Sequence, residues 1–251
     1  MWLSLDGAAN ARVVVPGVLL RSDNLQSLSE ADIRQLLDEQ GLEVVLDLRT
    51  DFEVRSEGPG PLTAVPSVRI EHRSLYPDQS ADGGDSSFAH ATRPADSPFK
   101  EDLPGETATV RAYLSYLDLR PDSLLSSMRT IARTHGSVLV HCAAGKDRTG
   151  VVVALALDAA GVDRAAIVAD YMASGERIEA ILRRLVASPT YHEEMSGARP
   201  RSQAPVPETM GRVLEIIDER YGGSAAWLSS QGFSDDDFEA LRRRLAPARV
   251  G

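Results

Sequence analysis

The stretch that most constrains this chain runs from Ser137 to Ala160. Ser137-Val138-Leu139-Val140-His141 is an apolar run of strand length, and Thr149 to Ala160 (TGVVVALALDAA) is an almost uniformly apolar run of helix length, ended by Gly161. A strand without a polar face is buried on both sides, and a helix that is apolar all round is buried as well. Such a pair, joined by a tight turn, belongs at the centre of an α/β sheet. The flanking sequence agrees. Residues 12–20 (RVVVPGVLL) read as two short strands about Pro16-Gly17, 43–48 as a buried strand and 67–71 as a further strand. Ser29 caps a helix near 30–40 that Gly41 ends. Further helices are expected near 106–118, 122–134, 164–173 (capped by Asp163), 175–187, 207–221, 224–230 and 235–245. The expectation is a central, mostly parallel sheet flanked by helices, in one domain over 1–251. Two Pro-rich stretches interrupt it and read as lids or loops: 188–207, and 77–105, which holds four Pro, three Gly and five Asp.

Composition narrows the function. The net charge is −10, so non-specific binding to nucleic acid or to an anionic membrane is disfavoured. Any anionic substrate must be held by local groups against the overall field. The single cysteine, Cys142, excludes an internal disulfide and a multi-cysteine zinc site. No two histidines are spaced as His-x-x-x-His, so no metal is expected. The first basic residue is Arg12, which does not read as a signal peptide, and the longest apolar run, near Val151–Leu157, is far short of a membrane span. A cytoplasmic protein without integral membrane association is expected, with leaderless secretion left open. Of the basic residues only Lys100 and Lys146 are lysines.

The turn after the strand carries the chemistry: His141-Cys142-Ala143-Ala144-Gly145-Lys146-Asp147-Arg148-Thr149-Gly150. A tight turn from a strand end into a helix N-terminus points several backbone amides into one hollow, and these donors with the helix dipole make an anion site that suits phosphate. Gly145 permits the path, Ala143 to Arg148 supply the cradle, and the guanidinium of Arg148 can fork onto two phosphate oxygens. The same positive hollow favours the thiolate of Cys142 over its thiol. Thr149 can donate its hydroxyl to the sulfur. A lone cysteine on a strand is ordinarily a small buried hydrophobe. Chance agreement with His before it, Gly at +3, Arg at +6 and Thr at +7 is on the order of 10⁻⁵, so the catalytic reading prevails.

His-Cys-x5-Arg-Thr resembles the signature loop of the cysteine-dependent protein tyrosine phosphatase superfamily. The wording HCAAGKDRTG, with LLRSDNLQSLSEADIRQLL, VVLDLRTDFE, IVADYMAS and the tail ERYGGSAAWLSSQGFSDDDFEALRRRL, is similar to its atypical bacterial branch, typified by secreted mycobacterial tyrosine phosphatases. The resemblance spans nearly the whole chain. It implies a phosphatase-like α/β fold, a Cys142 nucleophile, Arg148 as phosphate clamp and a branch-marking Lys146-Asp147 pair. It implies phosphomonoester hydrolysis through a phospho-cysteine, on phosphotyrosine proteins with dual specificity, and no metal or organic cofactor. Lysine in this loop also marks phosphoinositide phosphatases, which keeps a phosphoinositide substrate open. A phosphate-binding pseudophosphatase is the alternative outside catalysis, and the Lys146 to Thr149 run argues against sulfur transfer.

Other residues have assigned expectations. No Trp-Pro-Asp occurs; Tyr76-Pro77-Asp78 resembles the placement of the acid in the branch, so Asp78 is the candidate general acid, with Asp82, Asp85 and Asp102 as weaker rivals. Asp147 is expected to bond backbone or Arg148 and fix the loop, or to handle a proton. His141 is expected behind the loop, tuning Cys142. Asp47 and Arg49 read as a structural ion pair at a strand end. Arg199 and Arg201 read as a second phosphate contact or as solvated, and Tyr221 and Trp227 as core. The oligomeric state stays open.

Overall fold

The computed structural model describes residues 1–77 and 102–246, and its sheet is built around the apolar run at 137–141. The strands are β1 (Arg12–Val15), β2 (Leu19–Ser22), β3 (Leu42–Asp47), β4 (Arg69–His72) and β5 (Ser137–His141), in the order β1-β2-β5-β3-β4. Only β1 pairs antiparallel to its neighbour; β2, β5, β3 and β4 are parallel. Alternation of side chains sorts the buried residues onto two faces. Leu19, Val44, Leu46, Val138 and Val140 join the larger core, while Leu20, Val45 and Leu139 join the smaller one with Leu3, Leu5, Leu25, Leu28, Leu36 and Leu62.

The helices are α1 (Glu30–Arg34, continued by a wider turn to Glu39), α2 (Asp51–Glu57), α3 (Ala108–Leu119), α4 (Pro121–Arg133), α5 (Asp147–Ala159), α6 (Arg164–Ala173), α7 (Ile178–Ala187), α8 (His192–Met195), α9 (Pro200–Gln203), α10 (Pro207–Tyr221), α11 (Ser224–Ser230) and α12 (Asp235–Leu245). Reciprocal capping boxes start α1, α2 and α12: Ser29, Thr50 and Ser234 accept from the third helical amide, whose side chain returns the bond. α5 is sheathed by the larger core, as its composition requires. Trp227 is buried in that core, and Tyr221 packs against it. A tight turn, Ser174–Arg177, precedes α7, so that helix begins later than its polar pattern suggests. The stretch 188–207 is less of a loop than its prolines imply. It holds two single-turn helices, and Pro200 opens α9 from the first position, where its missing amide costs nothing. Residues 78–101 of the other Pro-rich stretch lie outside the described residues, and with them Asp78, Asp82 and Asp85.

The parallel register fixes where the site falls. Ser22 and Asp47 both lie opposite His141, so the chain leaves β2, β3 and β5 at one edge. Open α/β sheets place their ligands at the carboxyl ends of such strands.

Candidate active site

β5 delivers Cys142 to the floor of a cavity of about 480 Å³. The loop lines one side through Ala143, Ala144, Lys146, Asp147 and Arg148; Tyr113 of α3, Leu182 of α7, Tyr191 and Arg201 line others. Cys142 is buried and free. The loop is held from its carbonyl side. The Asn24 amide donates to the Ala143 carbonyl at 3.1 Å. Asn10 Nδ2 donates to the carbonyls of Ala144 and Gly145 at 2.9 and 3.0 Å. Arg21 Nη2 reaches those of Gly145 and Lys146 at 2.7 and 3.4 Å. A trans peptide points its N–H opposite to its C=O, so the amides of Ala144 to Asp147 face away from these anchors. No amide from Ala143 to Arg148 donates a hydrogen bond among the described residues. α5 starts without a side-chain cap, which leaves its first-turn amides free for an anion. Gly145 is required twice over. Its φ is +63°, and a Cβ there would stand 2.3 Å from the Ser22 carbonyl oxygen.

Arg148 is buried, and its fork is occupied. Nη1 donates to Glu53 Oε2 at 2.6 Å and Nη2 to Oε1 at 2.9 Å, while Nη2 also lies 3.3 Å from Tyr191 Oη. The guanidinium is thus aimed end-on by Glu53 rather than free to fork, and its Nε is buried without a partner. Burial alone would raise the Glu53 carboxyl; the Arg148 guanidinium outweighs it and holds the group at about 2. Glu53 also accepts from the Thr50 amide at 2.7 Å and from Tyr191 Oη, so one carboxylate caps α2 and sets the arginine.

Lys146 Nζ donates to the Gln203 carbonyl at 2.5 Å and lies 3.6 Å from Asp147 Oδ1. Asp147 does not bond Arg148: it accepts from Tyr113 Oη, which lies 3.1 Å from Tyr171 Oη. Burial and then the Asp147 charge push the Tyr113 phenol well above its ordinary range, so it stays a donor. His141 ends β5 directly before Cys142, with Nε2 3.5 Å from Asp47 Oδ1 and Nδ1 buried without a hydrogen-bond partner. Burial lowers its imidazole to about 4 despite Asp47, so it is neutral near pH 7. Asp47 and Arg49 form the expected buried ion pair at 2.6 Å. Thr149 Oγ1 is buried and makes no hydrogen bond, so the expected bond to sulfur is not formed here. Asp102 pairs with Arg111. Arg201 lines the cavity and Arg199 is exposed. Tyr76, the residue before Pro77, has its ring centre 5.8 Å from the Arg148 guanidinium.

Sequence reasoning missed Glu53, Tyr191, Tyr113, Asn10 and Arg21. The capping box Thr50-x-x-Glu53 was a visible signal for a helix start, but not for the reach of its carboxylate to Arg148, 95 residues further along.

A thiol at a strand end, a free cradle of amides and a guanidinium at the helix start, on a parallel sheet, define a cysteine-dependent phosphatase. The chain belongs to the tyrosine phosphatase family, whose sequence profile matches residues 5–247. It is 30% identical to the triple specificity protein phosphatase PtpB of Mycobacterium tuberculosis, over 96% of this chain and 95% of that one. It is 29% identical to a tyrosine-protein phosphatase of Nostoc commune, over 96% of this chain and 78% of that one. Among the described residues, no helix is long and apolar enough to cross a membrane.

Proposed function

We propose that the chain hydrolyses phosphomonoesters in two steps at Cys142. The observation that carries this is the set of unengaged loop amides above the buried thiol, with Arg148 fixed beside them by Glu53. The thiolate sulfur attacks phosphorus and the bond to the leaving oxygen breaks. The amides of Ala143 to Arg148 and the Arg148 Nε hydrogen-bond the equatorial oxygens as their charge spreads. Asp78 donates the proton to the leaving oxygen. It follows Pro77 directly, and Tyr76 is already against Arg148. Water then attacks the phospho-cysteine and gives its proton to the Asp78 carboxylate; phosphate leaves and the thiolate is restored. Asp147, held by Tyr113, orients the loop.

An aryl phosphate suits a cavity walled by Tyr113, Tyr191, Leu182 and Met195, and supports phosphotyrosine as substrate. The name of the mycobacterial relative supports action beyond phosphotyrosine. One observation favours a phosphoinositide as well: Lys146 and Arg201 both line the cavity, and a second phosphate there would draw Lys146 Nζ from the Gln203 carbonyl.

The test is phosphate release from a phosphotyrosine peptide, a phosphoserine peptide and a phosphoinositide panel, with EDTA present and Cys142→Ser as control. Metal-independent turnover that disappears in the variant is expected. Phosphate binding without turnover on any substrate would leave a pseudophosphatase.

A further inference from the structure

Two of the loop's carbonyl anchors, Asn10 and Arg21, converge on one carboxylate that does not line the cavity. Asp170, on α6, accepts from Arg21 Nη1 and from Arg12 Nε, the latter at 3.0 Å. Two arms run from it to the loop. Arg21 extends Nη2 to the Gly145 carbonyl at 2.7 Å. Arg12 donates through Nη1 to Asn10 Oδ1 at 2.6 Å, which turns Asn10 Nδ2 toward the carbonyls of Ala144 and Gly145. Ser174 Oγ braces the second arm, accepting from Arg12 Nη2 at 3.1 Å and Asn10 Nδ2 at 3.2 Å. Asn10, Arg12, Arg21 and Ser174 are all buried.

We infer that Asp170 is a positioning residue for phosphoryl transfer: through Arg21 and through Arg12–Asn10 it holds the Ala144, Gly145 and Lys146 carbonyls outward, so that the next amides face the phosphoryl group. The inference rests on the reading of the Cys142 loop as the phosphoryl site.

Charge supports the geometry. In front of the loop Arg148 is paired with Glu53, and Lys146 lies 3.6 Å from Asp147. Behind it two guanidiniums share Asp170, and Glu176 adds a weaker attraction on Arg12. Burial, and then the neighbouring Arg21, lower the Arg12 guanidinium to about 10, a mark of that crowding. A cation bonded to a peptide oxygen polarises the peptide and strengthens its N–H as a donor. A dianion in the cradle therefore gains both alignment and field from groups it does not touch.

The network could instead serve only to join β1, β2 and α6, and affinity separates the two roles. Inorganic phosphate binding is measured by calorimetry in a Cys142→Ser background, alongside thermal stability, for Asp170→Asn and for Asp237→Asn. Asp237 anchors Arg133 and caps α12 away from the loop, and serves as a control for stability loss. In otherwise wild-type protein, kcat and KM for an aryl phosphate are also compared. Asp170→Asn is expected to weaken phosphate about tenfold, as loss of a charge-assisted bond would, whereas Asp237→Asn loses stability with phosphate affinity unchanged. Arg21→Lys, which keeps the charge but not both contacts, is expected to fall between. If Asp170→Asn does not fold, Asn10→Ala cuts one arm and is expected to weaken phosphate without abolishing binding. Equal phosphate affinity in these variants and the control would overturn the inference. Failure of Cys142→Ser protein to bind phosphate at all, or persistence of turnover in it, would overturn the reading of the site instead.

Discussion

Glu53 grips Arg148 with both oxygens, at 2.6 and 2.9 Å, and both side chains are buried. The pair does the aiming that the signature loop itself does not supply. Breaking a buried pair by removing one partner leaves an uncompensated charge and costs about 3–5 kcal/mol. Glu53→Gln is expected to lose about 3 kcal/mol in urea unfolding and to raise KM for an aryl phosphate. A variant with wild-type KM and stability would show that Arg148 is aimed by something else.

The same carboxylate gives an acid-stability signature. Glu53 falls from an ordinary value near 4.5 to about 2, so its contribution is complete above pH 4.5 and is lost as pH falls toward 2. Asp47 is depressed too, against its own burial, by His141 and Arg49, and adds to the slope. The melting temperature of Glu53→Gln is expected to fall less steeply than that of wild type over this range.

His141 acts in a higher window. Its folded value is about 4 against an ordinary 6.5, so below pH 6.5 the unfolded chain takes up a proton that the folded one refuses. Stability is expected to drop by roughly 3 kcal/mol between pH 6.5 and 4 from this group alone. His141→Gln, which cannot titrate, is expected to flatten the melting curve in that interval. An unchanged slope would mean that His141 is charged in the native state.

Gly145→Ala meets two obstacles, a left-handed backbone and the Ser22 carbonyl. The backbone term alone costs about 2 kcal/mol, and the close contact forces the loop off its anchors. Protein that still folds is expected to lose phosphate binding, as read by calorimetry.

Lys146 separates the two substrate classes. Lys146→Met is expected to lower kcat/KM for a phosphoinositide about tenfold, the loss of one charged contact, and for an aryl phosphate by no more than roughly threefold. Equal losses on both would remove the second-phosphate role.

Much of this architecture was legible because its signals are local. β5 is found where its apolar run lies, and α10, α11 and α12 fall on their anticipated spans. The loop was legible because thiol, glycine and guanidinium sit within a few residues. What was hidden is what reaches across the chain. Asp170 lies in a helix whose pattern shows only a polar position, and its link to Arg21 spans 149 residues. Tyr191 looked like part of a Pro-rich loop, yet it closes on Glu53 from 138 residues away. Asp147 is adjacent to Arg148 in sequence, but Glu53 already holds that guanidinium and Tyr113 is the donor within reach.

The outward-tied carbonyls also bear on how an acidic protein can recognise a doubly charged anion. With Arg148 matched by Glu53 and Lys146 by Asp147, the proposed cradle would attract through the directions of its N–H bonds more than through net charge. Ions sharing the trigonal face of a phosphoryl group, such as vanadate and arsenate, are expected to suit those directions better than a planar carboxylate. Recognition of this kind is short-ranged, so added salt, which screens long-range fields, takes little from it. A net charge of −10 is then compatible with a phosphoryl site, because the attraction would come from peptide groups already aligned.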